Sequence, residues 1–169
     1  MAKIEIGQRA PAFTLKDHHG EKLALSSLKG RAVVLYFYPE AMTPACTKQA
    51  CQFNDARAQF EALGATVVGV SPDTPERLRQ FASAQGLGLT LLSDPPPAAA
   101  RAGLKPAPKV MSKYGAFGQK TMYGRAVTGV IRTTYVIDAA GKVAARFDNV
   151  RVADHHKKVI EALRVLAQS

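Results

Sequence analysis

Val33-Val34-Leu35-Tyr36-Phe37-Tyr38-Pro39-Glu40-Ala41-Met42-Thr43-Pro44-Ala45-Cys46-Thr47-Lys48-Gln49-Ala50-Cys51 is the stretch on which the reading of this chain turns. Six apolar residues in a row, three of them aromatic, suit a strand buried on both faces. Pro39 ends the run. A short loop follows, and Thr43-Pro44 has the form of a helix start, with a capping hydroxyl before a proline at the first helical position. Helical spacing then continues through Cys46, Ala50, Phe53, Ala56, Phe60 and Leu63, and Gly64 is placed to terminate it.

Outward from this core, strands and helices alternate. Thr66–Val70 reads as the next buried strand. Thr74 caps a helix that begins at Pro75 and closes at Gly86, and Leu87–Leu92 is a third strand. Thr133–Ile137 and Lys142–Phe147 form a hairpin about Asp138-Ala139-Ala140-Gly141, with Gly141 suited to positive φ. Asp154 is placed to cap a final amphipathic helix through Val159, Ile160, Leu163 and Leu166. The pattern predicts an α/β sandwich around a mixed sheet. Residues 95–108 stand apart: they hold five of the ten prolines, which fits neither a central strand nor a long helix. They read as a Pro-rich loop insert within a single domain spanning residues 1–169.

Composition narrows the function. An apolar fraction of 47% and a charged fraction of 21% are those of an ordinary globular chain. No apolar run reaches the roughly 20 residues of a membrane span, and Met1–Ile6 lacks a signal-peptide block. A cytoplasmic, reducing location is therefore expected, where two cysteines are catalytic more often than structural. The net charge of +10 is spread along the chain, densest at Arg77 with Arg79 and at His155-His156-Lys157-Lys158. With no basic stripe interleaved with aromatics, it reads as a solvated surface and not as a nucleic-acid site. The pairs His18-His19 and His155-His156 read as surface residues, since neighbours on a helix diverge by about 100° and rarely share a metal.

Cys46 and Cys51 are the only cysteines. With Thr43 as cap, Cys46 is third in the helix, beside unpaired backbone N–H groups and the positive end of the helix dipole, both of which favour a thiolate. The bland alternative is a small buried apolar residue. In an intact helix, five residues give about 7.5 Å of rise and about 140° of rotation. A disulfide needs α-carbons within roughly 7 Å and converging side chains. Either Cys51 is a core residue, or the first turns unwind so that it reaches an oxidised Cys46.

At this point a resemblance enters. Pro39…Thr43…Cys46 looks like the peroxiredoxin signature Pro-x-x-x-Thr-x-x-Cys, and the Cys-x-x-x-x-Cys spacing resembles the Q-type subgroup, also called bacterioferritin comigratory protein. Ala10–Leu15, Gly69–Asp73, Leu91–Pro95, Met122–Arg125 and Gly129–Asp138 resemble further segments of the same family. The resemblance implies a thioredoxin-like three-layer sandwich with an N-terminal β-extension, and thiol-dependent reduction of hydrogen peroxide and organic hydroperoxides. It implies a peroxidatic Cys46, a resolving Cys51 that forms an intramolecular disulfide, a shielding Pro39, a peroxide-contacting Thr43, and an Arg132 beside the sulfur. From pattern alone Arg132 reads as a surface residue. The resemblance also implies no metal or organic cofactor, a thioredoxin- or glutaredoxin-like reductant, and a monomer or weak homodimer. Three departures stand out: Ala45 where the subgroup commonly has glycine, Glu40 placing negative charge near the pocket, and the lengthened Pro-rich connection. A redox sensor that reacts slowly with peroxide is the competing, non-enzymatic reading.

Overall fold

A computed structural model describes residues 3–97 and 107–168, and shows the expected three layers. The stretch that opened the reading forms β3 (Ala32–Phe37), with β1 (Thr14–Asp17) and β2 (Lys22–Ala24) before it as the N-terminal extension. After β3 come α1 (Pro44–Asp55), α2 (Arg57–Ala62), β4 (Ala65–Ser71), α3 (Pro75–Gln85), β5 (Thr90–Ser93) and α4 (Lys109–Lys113). The chain continues through β6 (Phe117–Met122), β7 (Arg125–Val130), β8 (Thr133–Ile137), β9 (Val143–Phe147) and α5 (His155–Ala167). Seven strands make one mixed sheet in the order β2-β1-β5-β4-β3-β8-β9, and β6 pairs with β7 in a separate ribbon. β3, β4 and β5 run parallel at the centre, and β8 lies antiparallel to β3.

The pleat of β3 divides the core. Val34, Tyr36 and Tyr38 face a layer containing Cys46, Phe53, Phe60, Leu78, Phe81 and Val159. Val33, Leu35 and Phe37 face the other side, with Phe13, Met111, Tyr114 and Val143. Both faces of the strand are therefore buried, which is why it reads as one unbroken apolar run. Gly69 stands beside Tyr36 in the β3–β4 register, and a β-carbon there would lie 2.7 Å from Tyr36 Cζ. Only glycine leaves room for that ring.

Several expectations hold in detail. The Thr74 hydroxyl accepts from Arg77 N–H, and Gly86 closes α3 with φ of 62°. The turn before β9 uses Gly141 at φ of 90°. Others need correction. The helix expected over 44–63 is broken at Ala56, which has ψ of 6°. Alanine is the best helix former, so nothing local signals the break. Asn54, just before it, turns to the end of α3: its amide donates to Gly86 O and its oxygen accepts from Gly88 N–H at 2.8 Å. Leu87 is part of the α3 terminus, its N–H bonded to Ala82 O, so β5 starts only at Thr90. Asp154 is at the start of α5 but has φ of 57° and makes no side-chain cap, pairing instead with Lys157 at 3.5 Å.

His155 is not at the surface. It is buried between Phe53 and Phe147, both edge-on to its ring, and its Nε2 lies 2.9 Å from the Thr134 hydroxyl. Of the Pro-rich segment, residues 98–106 lie outside the described residues. Just before that segment, the Asp94 carboxylate accepts from Val110 and Met111 N–H and so starts α4.

Candidate active site

Cys46 is the third residue of α1 and is buried under the C-terminal end of β3. Thr43 occupies the N-cap position in extended conformation, and Thr47 N–H to Thr43 O at 2.8 Å closes the first turn. The Thr43 hydroxyl does not cap the helix. It turns back to donate to Glu40 O at 2.9 Å. Its lone pairs remain as acceptors, and the Ala45 and Cys46 N–H groups keep no side-chain cap. A negative or polar oxygen placed there meets donors from the helix start.

Arg132 lies in the two-residue link between β7 and β8. Its backbone is pinned by Val150 N–H bonding to its carbonyl, and that of Ile131 by Ala116 O. From there the guanidinium reaches α1. Nη2 donates to Cys46 Sγ at 3.4 Å, and Nη1 donates to Gln49 Oε1. Gln49 is one turn below Cys46 on the same face of α1 and is 1% exposed. Arginine has no acceptor, so both the sulfur and the amide oxygen accept from it. Sequence reading missed Gln49. A polar residue within a turn of the cysteine was the available signal, but a glutamine on a helix is ordinarily solvent-facing.

The floor of the site is aromatic. Tyr36 lies against Phe53, with ring centroids 4.7 Å apart, and against Tyr38 at 5.3 Å. Burial, and next the nearby Cys46 charge, push the Tyr36 phenol well up, so it stays protonated. Lys120, on β6, donates to Val130 O at 2.7 Å. Its amine is pushed down by burial first and then by Arg132, against an opposing pull from Cys46, which places it in the electrostatic neighbourhood of the sulfur. Pro39 is half-buried at the exit of β3 and begins the turn into the loop.

Cys51 lies further along the same unbroken helix, half-buried, with its Sγ 3.8 Å from Gln85 Oε1 on α3. Both thiols are free. Burial, and secondarily Asp55, push the Cys51 thiol up. Glu40, which sequence placed as a negative charge near the pocket, is paired with Arg77 at 3.2 Å. Among the described residues no group of three or more His, Cys, Asp and Glu is clustered as metal ligands would be, and no helix is long and apolar enough to cross a membrane.

Comparison with known proteins points the same way. The profile of the AhpC/TSA family matches residues 6–146. The chain is 46% identical over 163 residues to a Mycobacterium tuberculosis protein provisionally named a peroxiredoxin, covering 96% of this chain and 97% of that protein. It is 37% identical to Escherichia coli peroxiredoxin Bcp, covering 97% and 98%. A solved structure of Xanthomonas campestris bacterioferritin comigratory protein superimposes with a TM-score of 0.81 at 29% identity, covering 96% and 99%.

Proposed function

Since the chain belongs to the AhpC/TSA family and is a peroxiredoxin, we propose that it reduces hydroperoxides by a two-cysteine cycle with Cys46 as nucleophile and Cys51 as resolving thiol. The observation that carries this reading is the Arg132 guanidinium held by Gln49 against the Cys46 sulfur at the first turn of α1.

The chemistry follows from the groups present. The Cys46 thiolate attacks the distal peroxide oxygen, the O–O bond breaks, and its electron pair leaves on RO⁻, which takes a proton to become ROH. Cys46 is then a sulfenic acid. Charge grows on the departing oxygen, and fixed donors aimed there lower the barrier. Arg132 Nη2 and the Cys46 N–H are such donors, while the Thr43 hydroxyl accepts from the peroxide O–H and orients it. Pro39 shields the pocket from water. In the second step the Cys51 thiolate attacks the Cys46 sulfur, hydroxide leaves and is protonated to water, and a disulfide joins the two. Because both cysteines sit five residues apart on one intact helix, the first turns of α1 must open for this step. A dithiol of thioredoxin or glutaredoxin type then reduces the disulfide by exchange.

The Xanthomonas relative is described as having alkyl peroxide reduction activity. We extend that substrate class to this chain alongside hydrogen peroxide. We read the protein as one catalytic domain bearing the insert at 95–108, acting as a monomer or weak dimer in the cytoplasm, without metal or organic cofactor.

The test is rapid mixing of reduced protein with one equivalent of hydrogen peroxide, with intact mass as readout because the chain has no tryptophan. The parent should end as an internal disulfide, Cys51→Ser as a sulfenic acid, and Cys46→Ser unchanged. A parent no faster than a free thiol would overturn the proposal in favour of a slow sensor.

A further inference from the structure

The loop that delivers Cys46 is held mainly from outside itself. Asp73, just past the end of β4, accepts from Ala41 N–H at 2.7 Å and from the Ser71 hydroxyl at 2.9 Å. Its own carbonyl accepts from the Ser93 hydroxyl of β5, so the carboxylate rests on two central strands. Arg77, in the first turn of α3, donates through Nε to the other Asp73 oxygen at 3.1 Å. Through Nη2 it reaches both Glu40 Oε1 at 3.2 Å and Ala41 O at 3.3 Å. Three polar links thus tie Glu40 and Ala41 to the β4–α3 junction. Within the loop, Thr43 to Glu40 is the hydrogen bond opposing release. Met42, the next residue, sits at φ of 69°, a conformation non-glycine residues adopt under strain, and its side chain is substantially exposed.

We infer that Asp73 and Arg77 form a latch that sets how often the Cys46 loop opens, and are thereby positioning residues for the step that joins Cys46 to Cys51. The loop runs directly into α1 at Pro44, so freeing Glu40 and Ala41 removes the anchor on the first helical turn. The strain at Met42 then favours unwinding. With the latch closed, Cys46 is buried against Arg132 and reacts with peroxide. With it open, Cys46 leaves the guanidinium and comes within reach of Cys51. Glu40 has its place in this device as the carboxylate that Arg77 grips. The inference rests on the two-cysteine reading for its catalytic consequence, but not for the latch itself.

The experiment uses Arg77→Gln and Glu40→Gln, both on exposed side chains, with Asp73→Asn as the more buried variant and Arg77→Lys as the conservative one. Opening is read in the reduced Cys51→Ser background as alkylation of Cys46 by a bulky maleimide, which cannot reach the sulfur in the closed form. Catalysis is read in the two-cysteine protein by rapid quench, separating peroxide-dependent oxidation from peroxide-independent disulfide formation. Losing a charged hydrogen bond of the latch should raise alkylation and disulfide rates by about tenfold in Arg77→Gln, with Arg77→Lys in between. Oxidation by peroxide should stay within about twofold, because the closed form still predominates. Alkylation at the parent's rate in Arg77→Gln, Glu40→Gln and Asp73→Asn would overturn the latch. So would equal acceleration of amide exchange throughout the fold, which marks global loosening. Faster alkylation with no disulfide in parent or variants would leave the latch standing and remove the two-cysteine reading instead.

Discussion

Gln49 and Arg132 are 83 residues apart in sequence and joined side chain to side chain, the amide oxygen of one accepting from Nη1 of the other. The same guanidinium faces Cys46 with Nη2, so a single planar group is held at both ends by residues one turn apart on α1. Replacing Gln49 with leucine leaves Nη1 without its buried acceptor and lets the guanidinium rotate away. Losing such a charged hydrogen bond corresponds to about tenfold to a hundredfold in rate. The expected result is a fall of that size in the second-order rate of Cys46 oxidation, with helix content unchanged by circular dichroism. Gln49→Glu keeps an acceptor in place and should retain most of the rate.

Arg132→Lys tests whether the fork or only the charge matters. Lysine offers a compact ammonium that cannot bond the Cys46 sulfur and Gln49 with two coplanar donors. A donor aimed at developing charge is worth about a hundredfold to a thousandfold when removed. The lysine variant should lose at least tenfold in peroxide oxidation, and Arg132→Met should lose more. Competition for hydrogen peroxide against a reference thiol measures both. Equal rates for lysine and arginine would show that charge alone suffices.

The central elements were legible because each carries its own physical signature. β3 is buried on both faces and so is apolar at every position. α3 carries a cap, a proline and a glycine at the three places where helix ends need them. The remainder is written in tertiary contacts. α4 has five residues and exists because the Asp94 carboxylate collects its first N–H groups. The β6–β7 ribbon is largely exposed along β7, so it lacks a strong alternation of apolar residues. His155 sits beside His156 in a basic run and gives no local sign that two phenylalanines enclose it. Arg132 was recoverable only through resemblance, since one arginine before a strand has no pattern. Gln49 offered only its place within a turn of Cys46, because its acceptor role depends on a partner 83 residues away.

Cys51 should make the resolving step more pH-dependent than an ordinary thiol would. Burial, and then Asp55, raise its pKa, so at neutral pH a smaller fraction is thiolate than for a free cysteine of pKa about 8.5. After a single pulse of peroxide, disulfide formation followed by acid quench and mass should accelerate with pH and still be climbing above that value. Asp55→Asn removes the second cause and should move the profile toward lower pH. A rate flat between neutral and alkaline pH would mean that helix opening, and not thiol ionisation, limits the step.

His155 should make the fold acid-sensitive. Burial, followed by Lys158, His156 and Arg132, pushes its pKa down to about 4 from an unfolded value near 6.5. Between those values the unfolded chain binds a proton that the folded chain refuses, so stability rises with pH and is lost as pH falls through that window. The full difference corresponds to roughly 3 kcal/mol, present above the unfolded value and gone below about 4. Urea midpoints measured at pH 7 and at pH 4.5 should differ by most of that amount in the parent. His155→Phe removes the titrating ring while keeping an aromatic against Phe53 and Phe147. It also leaves the Thr134 hydroxyl without its present partner, a cost that applies equally at both pH values. The variant should therefore start less stable at pH 7 and lose less on acidification. A pH difference as large as the parent's would assign the acid sensitivity to the carboxylates and not to His155.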